Sequence, residues 1–141
     1  MEEQAQEKKS VILRLKTRLE ELTKELFLLS ETDAPFTIVQ FPLEDDIDTS
    51  LRKELEISDT TLIEKVTLAN FFSLYTEPQG WDSEEDAATK QRFAKLFSFF
   101  NEELLESKVY RLGRIEITVY ILGIVPGLRT VLGLQSLLVE T

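Results

Sequence analysis

Apolar residues recur along this chain with two different periods. In residues 10–29, Ile12, Leu15, Leu19, Leu22, Leu26 and Leu29 follow one another at spacings of three and four, and Lys16, Arg18, Glu20, Glu21, Lys24 and Glu25 fill most of the gaps. Such spacing puts the apolar side chains on one face and predicts a helix over 10–29. The seam is nearly a heptad repeat. One stretch of this length is short for a sustained coiled coil, so a helix packed on a sheet is the better account.

Towards the other end the period is two. Ile115, Ile117, Val119 and Ile121 alternate with Glu116, Thr118, Tyr120 and Leu122, as a half-buried strand requires. Gly113 interrupts the pattern where the chain has to reverse, which predicts a hairpin between 109–112 and the long strand. Gly123, Pro126 and Gly127 mark the next reversal, and 130–139 reads as a third strand. A central or near-central strand at that position fixes the end of the chain in space.

Between these regions the signals are shorter. Residues 30–35 end the first helix, because Pro35 disfavours helical geometry at Ala34 and Ser30, Thr32 and Asp33 satisfy loose backbone groups. Residues 36–41 form a strand stopped by Pro42. The acidic stretch 43–59 holds a small helix at 51–55; its Glu44, Asp45, Asp46 and Asp48 lack the glycine and closing glutamate of a calcium loop, so a solvated loop is expected. Residues 61–68 are a strand candidate, and 69–75 a short helical or irregular connection. Asp82 with Glu85, or Ser83 with Asp86, resembles a capping box opening a second long helix to about Glu106. Its stripe is Ala87, Phe93, Leu96, Phe97, Phe100 and Leu104. Trp81, just before it, has no hydrophobic staple partner. Average burial of tryptophan places it in the core, while its enrichment at binding hot spots favours display; taken alone, the turn tips towards burial.

Two long helices far apart and about five strands, three of them consecutive, predict an α+β protein. The long strand is apolar on both faces, so helices are expected on both sides: a three-layer α/β/α sandwich with a mixed, largely antiparallel sheet. At 141 residues, with no linker or repeat, one domain over 1–141 is expected.

Composition narrows the chemistry. With neither cysteine nor histidine, thiol chemistry, the usual zinc ligand sets and histidine relays are excluded. Carboxylates such as Glu31, Asp45 and Asp46 could in principle form an acid/base pair, but no spacing places one, so no catalytic residue is assigned. The formal net charge of -10, from 26 acidic and 16 basic residues, opposes binding to nucleic acid or an anionic membrane and favours a basic or metal-bearing partner. The charged N-terminal stretch lacks an apolar signal core, and the expectation is a cytoplasmic protein without cofactor or metal of its own.

Several fragments in order carry a resemblance: Ser30-Glu-Thr-Asp-Ala-Pro-Phe36, Asn70-Phe-Phe72, Thr76-Glu-Pro-Gln-Gly-Trp81, Val109-Tyr-Arg-Leu-Gly113, Glu116, Val119-Tyr-Ile-Leu-Gly123 and Val139-Glu-Thr141. Together, from about Leu13 to the last residue, they resemble the nuclease A inhibitor family. Residues 43–60 have little counterpart there, and Gly80 stands where an acidic residue is expected. The resemblance implies a small acidic α/β/α sandwich that blocks a magnesium-dependent, sugar-nonspecific nuclease of the ββα-metal type, one to one and as a monomer when free. The family's contact residues fall on Glu31, Gln79, Trp81 and Thr141, with Thr141 approaching the nuclease's magnesium. The alternative, from a different class, is an interaction module that dimerises through the first helix.

Overall fold

The computed structural model describes residues 2–140, with side-chain surroundings given for 6–140. Helix α1 (Glu2–Thr23) buries Leu15, Leu19 and Leu22. It stops at Thr23, six residues short of the expected end. There the Thr23 hydroxyl donates to Leu19 O at 2.7 Å, Leu26 N turns back to Thr23 O, and Glu25 takes a left-handed φ of 55°. Arg92, distant in sequence, donates to the carbonyls of Leu22 and Lys24 at 3.1 and 2.5 Å, satisfying helix-end acceptors that another turn would have used.

The residues beyond Thr23 that match the helical spacing therefore belong to something else. Strand β1 (Phe27–Leu29) pairs antiparallel with β2 (Asp33–Pro35) as a small separate hairpin, where the end of the first helix and a loop were expected. Leu28 is buried while Phe27 and Leu29 point outward. Strand β3 (Thr37–Pro42) follows.

Helix α2 (Ile47–Leu55) is longer than the predicted 51–55 because Asp46 caps it, accepting from Thr49 N at 2.7 Å. Strand β4 (Glu64–Thr67) leads directly into α3 (Leu68–Thr76), capped by the Thr67 hydroxyl. Helix α4 (Glu84–Glu103) opens on the capping box of Ser83 and Asp86, not on Asp82. It ends three residues before Glu106, because Leu104 is already extended and β5 (Leu105–Leu112) begins. Strands β6 (Glu116–Ile124) and β7 (Thr130–Val139) complete the chain. Gly113 supplies the reversal between β5 and β6 with a φ of 107°. Ile115 falls in that turn and is exposed, so the alternation that counts starts at Ile117.

The five-stranded sheet runs β3-β7-β6-β5-β4 and every neighbouring pair is antiparallel. The expected mixture does not arise, since β6 and β7 follow by hairpins and β3 and β4 reach the edges in the opposite sense to their neighbours. On one face α1, α3 and α4 bury a core that includes Leu19, Phe93, Phe100, Ile117, Val119 and Ile121. On the other face α2 covers Tyr110, Tyr120, Leu122 and Val131 with Ile47 and Leu51. These are the three expected layers. Of the near-heptad seam, Leu15, Leu19, Leu22 and Leu26 are buried in the protein's own core, Leu19 at 0% exposure, while Leu29 is exposed on β1. Among the described residues, no helix is long and apolar enough to cross a membrane.

Candidate functional site

Two chain segments meet at the end of β7, and a third segment carries the tryptophan. The first is the tip of the β1–β2 hairpin. Here the Ser30 hydroxyl accepts from Val139 N at 3.0 Å, and Glu31 N donates to Val139 O at 3.4 Å. Farther back, the buried Ser136 hydroxyl donates to Pro35 O at 3.0 Å. The hairpin is thus sewn along β7 and leaves the Glu31 side chain on the exposed tip.

The second segment is the β5–β6 hairpin. Glu140 N donates to Ile115 O at 2.9 Å, one step past the pairing of Glu116 with Val139. Arg111 of β5 reaches across to Glu140, its Nη2 lying 3.0 and 3.1 Å from the two carboxylate oxygens. The main chain up to residue 140 is held from both flanks. Thr141, the residue placed at the centre of the site by resemblance, lies outside the described residues.

The third segment is the α3–α4 turn, residues 77–83. Tyr75 in the last turn of α3 stacks on Phe93 of α4, with centroids 5.1 Å apart and planes at 26°, which pins the two helices where the turn leaves. Burial raises the Tyr75 hydroxyl above its ordinary 10.0, with Arg111 opposing and Glu140 adding to the shift, so both charges act on this end of α3. The turn itself is closed by Asp82. Its carboxylate accepts from Gln79 N at 2.8 Å and from Lys90 Nζ at 2.8 and 2.7 Å, while Asp82 N donates to Gln79 O. The Lys90 ammonium, followed by the Gln79 amide, holds the Asp82 carboxyl below the usual carboxylate value. With the turn closed beneath it, Trp81 projects 82% exposed, which corrects its expected burial. The physical reason is local: the turn is stitched by polar groups at Gln79 and Asp82, with Gly80 standing in open space.

Of the four expected site residues, Glu31 is exposed on the hairpin tip beside the end of β7, Trp81 is exposed on the α3–α4 turn, and Gln79 lies in Trp81's own turn with its backbone engaged. The supporting residues Ser30, Arg111, Asp82 and Lys90 carry the geometry; from the sequence Ser30 was read only as a helix-ending group and Asp82 only as a candidate helix cap, and Arg111 and Lys90 were given no role of their own. Ser30 and Arg111 stood inside the quoted fragments Ser-Glu-Thr and Val-Tyr-Arg-Leu-Gly, which was the available signal. The pairing of Asp82 with Lys90 gave none, because it depends on how the turn folds onto α4.

Glu44, Asp46 and Asp48 of the acidic stretch 43–59 are occupied in local structure, Glu44 by Lys53. Asp46 caps α2, and burial of Asp48 is outweighed by hydrogen bonds from Lys65 and Arg52, which hold its carboxyl below the usual value. Among the described residues no group of three or more His, Cys, Asp or Glu side chains could hold a metal ion. What the described residues present is an exposed indole on the α3–α4 turn and an exposed carboxylate on the hairpin tip, beside main chain held up to residue 140.

Comparison with individual curated proteins gives no match. The family described as nuclease A inhibitor-like protein, NuiA, matches residues 14–141, nearly the whole sandwich including every element from α1 to β7 that carries these groups. The chain belongs to the nuclease A inhibitor-like family.

Proposed function

We propose that this protein inhibits a magnesium-dependent, sugar-nonspecific nuclease of the ββα-metal type by lodging its C-terminal residue, Thr141, in the enzyme's active site. A cleft built to hold a phosphodiester beside a hydrated magnesium ion and cationic side chains also accepts a chain end bearing a carboxylate and a hydroxyl, which offers no bond to cleave. Glu31 pairs with a cation lining the cleft, where a charge-assisted contact is stronger than a neutral one. Trp81 is the apolar anchor, Gln79 contributes from the same turn, and the net negative charge speeds encounter. The complex is one to one, the free inhibitor is a monomer, and both belong to the cytoplasm. The chain performs no catalysis itself.

The observation that carries this reading is the two-sided seating of residues 139 and 140, by Ser30 and Glu31 on one flank and Ile115 and Arg111 on the other. A terminus presented to an active site has to be fixed beforehand, because ordering a frayed end on binding consumes affinity. The test is titration of purified nucleases of this type with the full chain and with the chain lacking Thr141. Removal of Thr141 weakens inhibition about a hundredfold while the melting temperature stays put. Equal inhibition by the two proteins sinks the insertion mechanism.

A further inference from the structure

Between the β1–β2 hairpin and the α3–α4 pair lies an open groove of about 580 Å³. Leu26 and Phe93, both buried, form its floor. Phe27 and Leu29 stand on one wall, 42% and 55% exposed, and Leu74 on the other, 76% exposed. The reason on the hairpin side is geometric: β1 is apolar throughout, a strand buries one face, and Leu28 has taken it. Single exposed leucines are ordinary on a protein surface, but three large apolar side chains from two elements facing one groove mark a contact surface.

The charges around the groove say what fits it. Its two cations are spent internally, Lys90 on Asp82 and Arg92 on the carbonyls of Leu22 and Lys24. Asp86 is spent on the capping box of α4. Glu25 and Glu85, by contrast, form no ion pair or hydrogen bond among the described residues. The groove is therefore apolar within and negative at its rim. It also adjoins both proposed contact loops, since Leu29 of its lining lies on the hairpin whose tip carries Glu31, and Lys90 of its lining holds Asp82 of the Trp81 turn.

We infer that this groove is a second contact surface for the nuclease, taking an apolar side chain flanked by lysine or arginine from the rim of the enzyme's cleft. The inference rests on the inhibitor reading above and adds to it a site beyond the anchored terminus, the glutamate and the indole. It accounts for apolar surface that neither Thr141 nor Trp81 explains. It also gives the protein's negative charge a local destination.

The experiment compares three variants of the full chain with wild type against a nuclease that wild type inhibits: Leu74→Asp, Leu29→Asp, and Glu25→Lys combined with Glu85→Lys. All four positions are exposed, and melting curves verify that each variant folds; Leu74→Ser, which adds no charge, replaces any aspartate variant that does not. The expected result is inhibition weakened about tenfold in each, with the double lysine variant also losing part of the salt dependence of the association rate. If Trp81→Ala and loss of Thr141 impair inhibition while the groove variants inhibit like wild type, the groove is no contact surface and the inhibitor reading stands without it. If wild type inhibits no such nuclease, both fall together. If sedimentation shows a wild-type dimer that Leu74→Asp dissolves, the groove is filled by a second copy and the inference is overturned.

Discussion

Arg111 and Glu140 join two fragments that lie far apart in sequence, the Val-Tyr-Arg-Leu-Gly hairpin and the terminal Val-Glu-Thr, with one guanidinium nitrogen 3.0 and 3.1 Å from the two carboxylate oxygens. The pair acts on Tyr75 in the last turn of α3, and its direct effect is to hold the side chain of residue 140 against β5. Glu140 is about half exposed, and a pair so open to solvent contributes no more than about 1 kcal/mol to folding. Glu140→Gln is expected to leave the melting temperature within a few degrees of wild type while weakening nuclease inhibition about tenfold, because a looser end loses affinity to ordering. Equal inhibition by the variant, measured in the same titration, removes Arg111 from the positioning of the terminus.

Trp81 separates affinity from stability more sharply. An indole that is 82% exposed contributes little to the core, so Trp81→Ala changes unfolding free energy by less than about 0.5 kcal/mol. As the anchor of an interface it costs about 2 kcal/mol or more in binding, roughly thirtyfold. Chemical denaturation and nuclease titration of the same sample check both numbers. A large loss of stability would show that the indole packs against its own chain.

The turn that presents Trp81 has an acid limit set by Asp82. Its carboxyl is held below 3.8 by Lys90 and Gln79. A depressed carboxylate pKa stabilises the fold fully above the unfolded value, and the contribution is lost as pH falls through the folded one. The turn is therefore intact at neutral pH and opens only below about pH 3.8. Since the chain has one tryptophan, its fluorescence follows this turn directly. A transition below pH 3.8 in wild type, absent in Asp82→Asn, is the expected outcome.

Leu19 distinguishes a core helix from a dimer helix. It is 0% exposed within a single chain, so Leu19→Lys strands a charge in the apolar core and costs more than about 3 kcal/mol. The variant unfolds, as circular dichroism detects, while wild type sediments as a monomer. A folded Leu19→Lys protein that merely changes from dimer to monomer would restore the interaction-module alternative.

How much the sequence revealed depended on how far apart the interacting residues stood. The β6 and β7 strands were legible because alternation at Ile117, Val119 and Ile121 and the turn at Gly113 act over a few residues, and the capping box of Ser83 and Asp86 is equally local. The end of α1 was not, because Leu26 and Leu29 satisfy helical spacing and the group that takes the terminal carbonyls, Arg92, arrives from another helix. The β1–β2 hairpin was hidden for a related reason: three-residue strands are too short for a period to register, and theirs are held by long-range bonds, Ser30 to Val139 of β7 and Ser136 of β7 to Pro35.

By itself, then, the sequence determined the class of fold, the two-sided burial of the long strand, the acidity, and the fragments that mark the family. Only the tertiary structure decided that Trp81 is displayed, that most of the leucine seam is closed off, and that Arg111 and Ser30 grip the end of β7 from opposite flanks. Periodicity and turn chemistry are written over neighbouring residues and survive in one dimension. Exposure and long-range hydrogen bonds depend on which distant segments arrive at the same place, and that is settled only when the layers pack.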